Sequence, residues 1–479
     1  LRFLEHICIS YPGIELIFDA ELSSDSDPYL REHAFQGEQL LPAVMGMEAM
    51  AQAAMALEQS QRLPMLKDLR FEHPIVIPKN KPVMIRIAAL RREPGVISAV
   101  VRCSSTGFQI DHFSATCIFE NQPSEPSHCD PISATETVSL DPSHDLYGHI
   151  LFHEGRFCRV EGYQRLHAEQ SIAQLKALVE APYFARHLPP RLVLGDAASR
   201  DAALHSIQAC IPHRTILPAG IDRVTTYGDW TGEPVVVHAT ERRRDGDNFT
   251  YDLHIKDATG RIREHWEGLQ LRAVAPVKNK SPWALALLVP YLERRLTEIW
   301  PSSSLKIALT SVPQGQHNCR AGEMLREVLG LSATLMHRPD GKPEVSGLNG
   351  PHPHVSLSHC GEITLLVSAG RNIGCDLEKI VQRDSATWEQ MLGAEEFALA
   401  RLMASNHISL DCAATQVWTL KEGLRKAGAP PGQPTSLSSV SNDGWSSFHA
   451  GGFRAATFYA RIQESSVDVV FGFVIGSTE

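Results

Sequence analysis

Apolar residues follow two different patterns along the chain. Up to about residue 276, most apolar positions alternate with polar ones over short runs, which is typical of β-strands that bury one face. From Trp283 onward, runs with helical spacing alternate with short apolar runs, which predicts helices and strands in turn. The sequence therefore predicts an α+β chain with a strand-rich first part and a mixed second part.

Two helices interrupt the strand-rich part. The first, at about 42–59, is apolar or small on nearly every side, and the second lies at about 200–211. A helix without a polar face must be covered all round, so we expect a curved antiparallel sheet to wrap each one, which is the hotdog arrangement. The strands predicted around these helices are 14–20, 68–77, 83–91, 97–103 and 108–119, then 157–164, 168–179, 221–227, 234–242, 249–256 and 261–272.

Stretches rich in Pro, Ser, Asn or Lys occur at 121–145, 274–282 and 428–444. We interpret the first two as boundaries and the third as a long loop. The predicted units are a first hotdog over 1–120, a second over 146–276 and an α+β domain over 283–479. In that domain we predict helices at 284–298, 320–329, 394–406 and 413–427, and strands at 305–311, 354–358, 363–368, 373–378, 453–462 and 468–475.

Composition and charge narrow the classes of function. With 43% hydrophobic and 21% charged residues, the chain has the make-up of an ordinary folded protein with a sizeable core. Lys and Arg total 45 against 55 Asp and Glu, a net charge of −10, which argues against a nucleic-acid-binding or anionic-membrane surface. The ten cysteines form no Cys-x-x-Cys pair, so neither a zinc knuckle nor a disulfide framework is indicated.

The N-terminal sequence and the lengths of the apolar runs indicate where in the cell we expect the protein. No apolar run approaches the ~18 residues of a membrane span, and the N-terminus lacks a signal pattern. We therefore expect a cytoplasmic protein without a membrane or nucleic-acid partner. The chain begins at Leu1 and enters strand-like sequence at once, so we also expect it to be a piece of a longer polypeptide.

A first group of candidate catalytic residues lies next to the two apolar helices. His33 precedes the first helix with the spacing His-x-x-x-Gly-x-x-x-x-Pro, which ends at Pro42. Asp201 and His205 are one turn apart on the second helix and share a face. Charged groups on otherwise apolar helices are costly unless they are paired or functional.

Together, this spacing and the later Asp-Ala-Ala-Leu-His resemble the dehydratase domain of polyketide synthases, a double hotdog, over roughly residues 1–274. The resemblance implies that His33 is the base and Asp201 the acid in removing water from a 3-hydroxyacyl chain held on a carrier protein, with His205 orienting Asp201. That chemistry needs such a pair, because an α-proton must leave while the β-hydroxyl is protonated.

Two positions depart from this family. Ala43 stands where the family usually has Gly after the Pro, a change we expect to be tolerated. Where such dehydratases carry Tyr-Gly-Pro-x-Phe, this chain has His153-Glu-Gly-Arg-Phe157, so the hydroxyl-binding Tyr is missing. Two interpretations stay open: His153 replaces the Tyr, or the activity is reduced.

A second group of candidate residues lies in the last domain. Asp376 and Glu378 are two residues apart at the end of an apolar strand, so both carboxylates project from one face, and Glu422 on a helix adds a third. Three oxygen ligands suit Mg²⁺, which commonly bridges carboxylates and substrate phosphates. The matching positive charges are Lys342, His359, Lys421 and Lys426.

The motifs Gly-x-Asp-x-Glu and Trp-x-x-Lys-Glu-x-x-x-Lys resemble those of the larger, two-lobed 4′-phosphopantetheinyl transferases, with Gly423 in place of the usual small Ala. The resemblance implies transfer of phosphopantetheine from coenzyme A to a carrier-protein serine, with release of 3′,5′-ADP. It implies Mg²⁺ on Asp376, Glu378 and Glu422, and Lys426 balancing the pyrophosphate charge. Glu422, or Glu396 through a water, takes the serine proton. The coenzyme A site implied by the motifs comprises Arg338, Lys342, Ser358, His359 and Lys421.

Two rival hypotheses remain beside these. A zinc site could use the cluster His352, His354, His359 and Cys360, although its spacing fits no standard ligand pattern. The hotdog pair could also be a silent scaffold that only binds the acyl chain, which would leave the transferase as the sole enzyme.

The order of the two domains resembles the C-terminal end of the iterative type I polyketide synthases that begin enediyne biosynthesis. The partner expected from that resemblance is an acyl carrier domain of the same synthase. An oligomer could form through the dehydratase.

Overall fold

The chain divides into two compact units, Leu1–Asn279 and Lys280–Glu479. The computed structural model describes residues 1–119, 137–177, 182–228, 230, 232–277, 282–301, 305–312, 317–339, 341–348, 353–405 and 408–477. The predicted boundaries at 121–145 and 274–282 lie partly outside these residues.

The first unit is built from fifteen strands and three α-helices among the described residues. In chain order they are β1 (His6–Tyr11), β2 (Glu15–Leu22), β3 (Ala34–Phe35), β4 (Glu38–Leu40), α1 (Ala43–Glu58), β5 (Met65–Phe71), β6 (Val76–Ile77), β7 (Val83–Glu93), β8 (Val96–Cys103), β9 (Phe113–Ile118), α2 (Pro142–Asp145), β10 (Val160–Leu166), β11 (Gln170–Leu175), α3 (Ala197–His205), β12 (Arg214–Thr226), β13 (Val235–Asp245), β14 (Asn248–Lys256) and β15 (Ile262–Pro276).

Twelve of these strands form one antiparallel sheet with two similar halves. Its order is β1-β2-β7-β8-β9-β5, continued by β12-β15-β14-β13-β11-β10, so the halves join edge to edge where β5 pairs with β12. Helix α1 packs on β7, β8 and β9, and thirteen of its sixteen residues are buried. All nine residues of α3 are buried as well. This is the predicted double hotdog, with one apolar helix for each half of the sheet.

Local details of the first unit differ from the prediction. Strand β1 was not predicted, because its six residues are all exposed at the sheet edge and carry no alternation of buried positions. The predicted strand 68–77 is interrupted, since Asp68 has a φ of 52° and the pairing register shifts between Lys67 and Arg70. The second helix is α-helical only to His205 and continues as a 3₁₀ turn.

The second unit alternates helices and strands. Its elements are α4 (Leu285–Ile299), β16 (Lys306–Ser311), α5 (His317–Leu329), β17 (Thr334–His337), β18 (Pro343–Ser346), β19 (His354–Cys360), β20 (Ile363–Ala369), β21 (Ile373–Lys379), α6 (Ser385–Leu392), α7 (Ala394–Ala404), α8 (Leu410–Ala427), β22 (Ser436–Val440), β23 (Trp445–Ala450), β24 (Phe453–Ala460) and β25 (Val469–Gly476).

The strands of this unit form a three-stranded sheet, β16-β20-β19, a five-stranded sheet, β21-β25-β24-β23-β22, and the hairpin β17-β18. A core that includes Leu292, Leu365 and Phe471 connects α4 with both larger sheets. Helix α8 packs on β21, β24 and β25. The predicted α+β character is therefore present in both units.

The interpretation of 428–444 as a long loop is wrong in part. Residues Ser436–Val440 form β22, an edge strand that pairs with β23. Three of its five residues are serines, so the segment does not show the alternation of apolar and polar positions that predicts a strand. As an edge strand it forms hydrogen bonds with one neighbouring strand only. Helix α6 was also missed, because it is short and mostly exposed. Within the described ranges, no helix is long and apolar enough to cross a membrane.

Candidate functional site

His33 lies at the start of a tight hairpin that precedes α1. Gly37, with a φ of 87°, turns the chain between β3 and β4, and this brings the carbonyl of Leu40 back to the imidazole. The distance from His33 Nδ1 to Leu40 O is 3.0 Å. Because a carbonyl oxygen can only accept, Nδ1 carries the hydrogen and Nε2 keeps a lone pair. His33 is therefore oriented with a basic nitrogen at Nε2.

Asp201 reaches this nitrogen from the other half of the sheet. Its Oδ1 lies 3.9 Å from His33 Nε2, and both side chains are buried. Its Oδ2 lies 3.1 Å from Nδ1 of His205, one helical turn further along α3. The two candidate residues predicted to share a face of the second helix are thus in contact, and the structure brings both to His33.

His153 completes the cluster. Its backbone forms a short bridge with His33, and its Nε2 lies 3.1 Å from Asp201 Oδ2. Its ring stacks on Phe152 with 4.1 Å between ring centroids and lies 4.0 Å from the His205 ring. The residue at the expected Tyr position therefore points at the candidate acid.

Sequence reasoning missed Tyr147. Its hydroxyl lies 3.1 Å from Nε2 of His205 and accepts a hydrogen bond from the backbone N–H of Val160. The pair Tyr147-Gly148 was an available signal, since a Tyr-Gly pair belongs to the expected motif, but it stands six residues too early. Tyr147 acts on Asp201 only through His205.

Burial and mutual charge set the protonation of this cluster. Burial lowers the pKa of His33 to about 4, and it also lowers the pKa of His153 to about 4. Burial alone would raise the pKa of Asp201, but the charge and hydrogen bond of His153, with the hydrogen bond of His205, hold it well below its usual range. Near neutral pH the cluster therefore holds neutral His33 and His153 around an ionised Asp201.

The cluster forms one wall of a cavity of about 210 Å³. Its polar lining includes His33, His153 and Asp201, and also Glu72, His73, His205, Gln208 and Arg272. The apolar part of the lining includes Leu41, Phe71, Phe113, Leu151, Phe152 and Leu204. Such a cavity suits an apolar chain with a reactive polar end.

The second candidate site centres on Asp376. Its Oδ1 accepts a hydrogen bond from Ser358 Oγ at 2.9 Å and lies 2.8 Å from Lys426 Nζ. Lys426 also donates to the carbonyl of Leu357 at 3.3 Å. Asp376 Oδ2 is buried and has no hydrogen-bond partner. Asp376, Ser358 and Lys426 thus converge from β21, β19 and α8.

The strand predicted at 373–378 is confirmed as β21, which extends to Lys379. Asp376 is the fourth of its seven residues and is only 5% exposed. Glu378 lies two residues further on and is half-buried. Burial, and next the negative charge of Asp376, raises the pKa of Glu378. The two carboxylates therefore sense each other on one face of the strand, as predicted.

Glu422 is held differently. Its Oε2 lies 2.9 Å from Nη2 of Arg425 on the surface of α8. Among the described residues, the one set of three candidate ligands whose donor atoms all lie within 4.8 Å of one another is His33, His153 and Asp201. The carboxylates of Asp376, Glu378 and Glu422 do not form such a set. Lys421 donates to the carbonyl of Leu392 at 3.0 Å and so contacts the end of α6.

The remaining predicted residues lie on nearby elements. Arg338 and Lys342 close the β17-β18 hairpin, where the Arg338 N–H donates to the Lys342 carbonyl at 2.9 Å. His359 follows Ser358 on β19, and Glu396 lies in the first turn of α7.

For the rival zinc cluster, His352 lies outside the described residues. His354 and His359 are five residues apart on β19, which puts them on opposite faces of the strand.

Comparison with known proteins agrees with the geometry of the first unit. Residues 6–102 match the family described as polyketide synthase dehydratase domain, and residues 124–280 match the family described as polyketide synthase dehydratase N-terminal domain. These two matches, on a double-hotdog fold, show that the first unit belongs to the polyketide synthase dehydratase domains. The sequence motifs indicated the same family.

Individual relatives cover this unit. The polyketide synthase PksM of Bacillus subtilis (strain 168) is 24% identical over 279 residues, which is 54% of this chain and 6% of that protein's length. The dehydratase domain of a mycocerosic acid synthase-like polyketide synthase is 18% identical with a TM-score of 0.48, over 57% of this chain and 96% of that one. The dehydratase domain of PpsC from Mycobacterium tuberculosis, in complex with C12:1-CoA, is 17% identical with a TM-score of 0.45, over 57% and 99%.

Proposed function

We propose that the first unit removes water from a 3-hydroxyacyl thioester carried by an acyl carrier protein. The observation that carries this proposal is the lone pair of His33 Nε2, placed 3.9 Å from Asp201 Oδ1 at the wall of an apolar cavity. An acyl chain in the cavity would have its C2 proton and its C3 hydroxyl between these two groups. General acid–base catalysis of this kind typically contributes ~10²–10⁴-fold in rate.

The proton balance follows from the geometry. His33 Nε2 takes the C2 proton, the C2–C3 double bond forms, and the C3–O bond breaks as Asp201 gives a proton to the leaving hydroxyl. The products are an enoyl thioester and water. Because free Asp201 is ionised near neutral pH, the reacting form takes up one proton on Asp201 from solvent as the substrate binds. After the reaction that proton is in the released water, and His33 holds the former C2 proton. Transfer of this proton across the 3.9 Å gap to Asp201 restores the reacting form.

The neighbours of the pair support these roles. Burial keeps His33 neutral near pH 7, which a base requires. His153 and His205 both contact Oδ2 of Asp201, so Oδ1 stays directed at His33. The low pKa of Asp201 means that this carboxylate must gain its proton when the substrate binds before it can act as the acid.

The scaffold hypothesis makes a different prediction for the same protein. If the first unit only holds the acyl chain, it binds a 3-hydroxyacyl carrier without changing it. The test is to incubate the full chain with a 3-hydroxyacyl carrier protein and measure the mass of the carrier-bound group. Loss of one water supports the dehydratase, and an unchanged mass with measurable binding supports the scaffold.

We further propose that the second unit transfers 4′-phosphopantetheine from coenzyme A to a carrier-protein serine. The observation that favours this is a buried Asp376 whose Oδ2 has no partner, beside Lys426 and Ser358. An unpartnered buried carboxylate oxygen is costly unless a cation or donor completes it. The motifs around Asp376 and Lys426 resemble those of the two-lobed transferases.

The residues present fit Mg²⁺. Asp376 Oδ2 and Glu378 would hold it, with Glu422 after release from Arg425. Burial first, and then the negative charge of Asp376, raises the pKa of Glu378. When bound, Mg²⁺ neutralises charge on the diphosphate of coenzyme A. Lys426 and Ser358 orient Asp376.

The coenzyme A phosphates would meet Arg338, Lys342, His359 and Lys421. The carrier serine has two candidate bases, Glu422 directly or Glu396 through a water.

One measurement tests the second activity. The full chain is incubated with apo carrier protein, coenzyme A and Mg²⁺, and the carrier is weighed. Addition of the phosphopantetheine mass, abolished by chelator, supports the transferase, and an unmodified carrier overturns it. The order of the two units supports a place in an iterative type I synthase of the enediyne kind, whose own carrier domain would be the substrate of both activities.

A further inference from the structure

We propose that His33, His153 and Asp201 also form a binding site for a divalent transition-metal ion inside the cavity of the first unit. The site uses two imidazole nitrogens and one carboxylate. It is separate from the magnesium site proposed for the second unit, and its binding of metal does not depend on either proposed activity.

The donor atoms have suitable spacing. One ligand atom from each of the three side chains lies within 4.8 Å of the other two. Asp201 Oδ2 is 3.1 Å from His153 Nε2, and Asp201 Oδ1 is 3.9 Å from His33 Nε2. Zinc binds nitrogen and oxygen at about 2.0–2.2 Å, so donors on one ion lie roughly 3–3.5 Å apart. Side-chain shifts of about 1 Å would therefore bring the three donors onto one ion.

The surroundings orient two of these donors, His33 and Asp201, as metal sites require, whereas Nδ1 of His153 is buried without a hydrogen-bond partner. The carbonyl of Leu40 fixes the hydrogen of His33 on Nδ1, which leaves Nε2 as a ligand atom. His205 contacts the Asp201 carboxylate from outside the trio. Partners of this kind fix the tautomer and orientation of metal-binding side chains. The cavity leaves room for a water molecule as a fourth ligand.

The third donor is the feature specific to this chain. With a tyrosine at position 153, the site would offer only His33 and Asp201 as good ligands for a transition metal. His153 turns two donors into three. Two imidazoles with a carboxylate and an open position favour Zn²⁺, Co²⁺ or Fe²⁺ over Mg²⁺.

An ion bound here would occupy the lone pair of His33 and the carboxylate of Asp201. Metal binding and dehydration should therefore exclude each other, a consequence that rests on the proposed dehydratase function. The binding itself is tested without an activity assay.

The test uses the full chain without an affinity tag, stripped with chelator and titrated with Co²⁺. We expect one equivalent with visible absorption typical of nitrogen and oxygen ligands and without thiolate charge transfer. In His153→Phe, affinity should fall at least about 10-fold, since loss of an outer partner alone costs 10–100-fold. The matched control is the double variant His254→Gln and His265→Gln, because these two rings stack 4.3 Å apart on β14 and β15 and could bind metal themselves.

Three results would overturn the site: no Co²⁺ bound by the wild type, unchanged affinity in His153→Phe, or loss of the equivalent in the His254/His265 control. Near-ultraviolet circular dichroism checks that His153→Phe is folded. His33→Gln, which removes a different ligand, must weaken binding as well.

In a second arm, Zn²⁺ should inhibit wild-type dehydration more strongly than that of His153→Tyr. Equal inhibition of the two proteins by Zn²⁺ would contradict the proposal that a metal ion bound by His33, His153 and Asp201 prevents dehydration. If the wild type shows no dehydration at all, the proposed dehydratase function fails, and the cobalt titration still decides the metal site.

Discussion

Nε2 of His153 lies 3.1 Å from Oδ2 of Asp201, at the position where related dehydratases usually carry a tyrosine. His205 contacts the same oxygen at 3.1 Å. The two histidines therefore occupy one oxygen of the carboxylate and leave the other directed at His33. The first two predictions rest on this arrangement, in which Oδ2 of Asp201 is held by histidines and Oδ1 is free to react.

Replacement of either member of the candidate pair should stop dehydration. His33→Ala removes the base and Asp201→Asn removes the acid, and each should lower the rate ~10²–10⁴-fold. Conversion of a 3-hydroxyacyl carrier protein, followed by mass spectrometry, measures the effect. His254→Gln, on the outer part of the sheet, is the matched control and should keep the wild-type rate. Equal rates in all four proteins would leave only the scaffold hypothesis.

His153 should act through Asp201. In His153→Phe, the loss of a hydrogen bond to a charged group should cost about 1.5–3 kcal/mol, or about 10- to 100-fold in kcat/KM. The pKa of Asp201 should rise, so the pH profile of kcat/KM should differ from that of the wild type. His153→Tyr restores a hydroxyl donor and should recover part of the rate. An unchanged pH profile in His153→Phe would mean that His153 is merely structural.

The first unit should lose stability in mild acid. His33 and His153 have a pKa of about 4 when folded because of burial, whereas an unperturbed imidazole has about 6.5. Between these values the unfolded chain binds protons that the native protein does not, so stability is full above pH 6.5 and falls as the pH drops towards 4. His238 and His254, lowered to about 4 by burial, add to the same slope.

Hydrogen exchange of the α1 and α3 amides measures this slope for the first unit alone. His153→Phe should show a shallower loss of protection between pH 6.5 and 4, because one of the proton-binding groups is gone. The same slope in both proteins would contradict a neutral buried His153.

A buried ion pair beside the site should be essential for stability. Arg200 precedes Asp201 on α3, and its Nη2 lies 2.7 Å from Oε2 of Glu264. The Glu264 carboxylate also accepts a hydrogen bond from Trp230 at Oε2 and one from Trp266 at Oε1. Glu264→Ala leaves a buried unpaired guanidinium and should cost about 3–5 kcal/mol. Hydrogen exchange of the β15 amides reports this free energy.

The control for that experiment is a pair on the surface. Arg242 lies 2.6 Å from Asp252 with both side chains partly exposed, and Asp252→Asn should change stability by less than about 1 kcal/mol. If Glu264→Ala and Asp252→Asn lower the free energy of unfolding by similar amounts, the buried Arg200–Glu264 pair is no more important for stability than the surface pair.

In the second unit, Asp376→Asn should abolish carrier modification while dehydration continues. The amide oxygen of the asparagine can still accept hydrogen bonds from Ser358 and Lys426, so we expect the fold to be kept. The negatively charged carboxylate that is proposed to hold Mg²⁺ is lost. Intact mass of the carrier protein measures the transfer. Glu389→Gln on the exposed side of α6 serves as the control and should transfer normally. Full transfer by Asp376→Asn would exclude this site.

Several features of the fold were predictable because they depend on neighbours in sequence. Apolar residues all round 42–59 required a covered helix, and α1 is buried on nearly every side. The alternating runs 249–256 and 261–272 predicted two strands, and these are present as β14 and β15, which pair. Serine-rich β22 and the exposed edge strand β1 escaped prediction, because their partners, rather than their own residues, make them strands.

For the candidate site, the sequence by itself determined which chemical groups were available. The spacing around His33 and the one-turn spacing of Asp201 and His205 resemble the polyketide synthase dehydratases, and that resemblance implied an acid–base pair. Only the tertiary structure decided how they meet. His33, His153 and Asp201 come from segments up to 168 residues apart, and their contact depends on the pairing of β5 with β12 that joins the two hotdogs. The periodicity of a sequence does not say how far apart such segments lie in the fold. The contacts that hold Asp201 ionised therefore arise from tertiary packing alone. The contact of Tyr147 with His205 has the same origin.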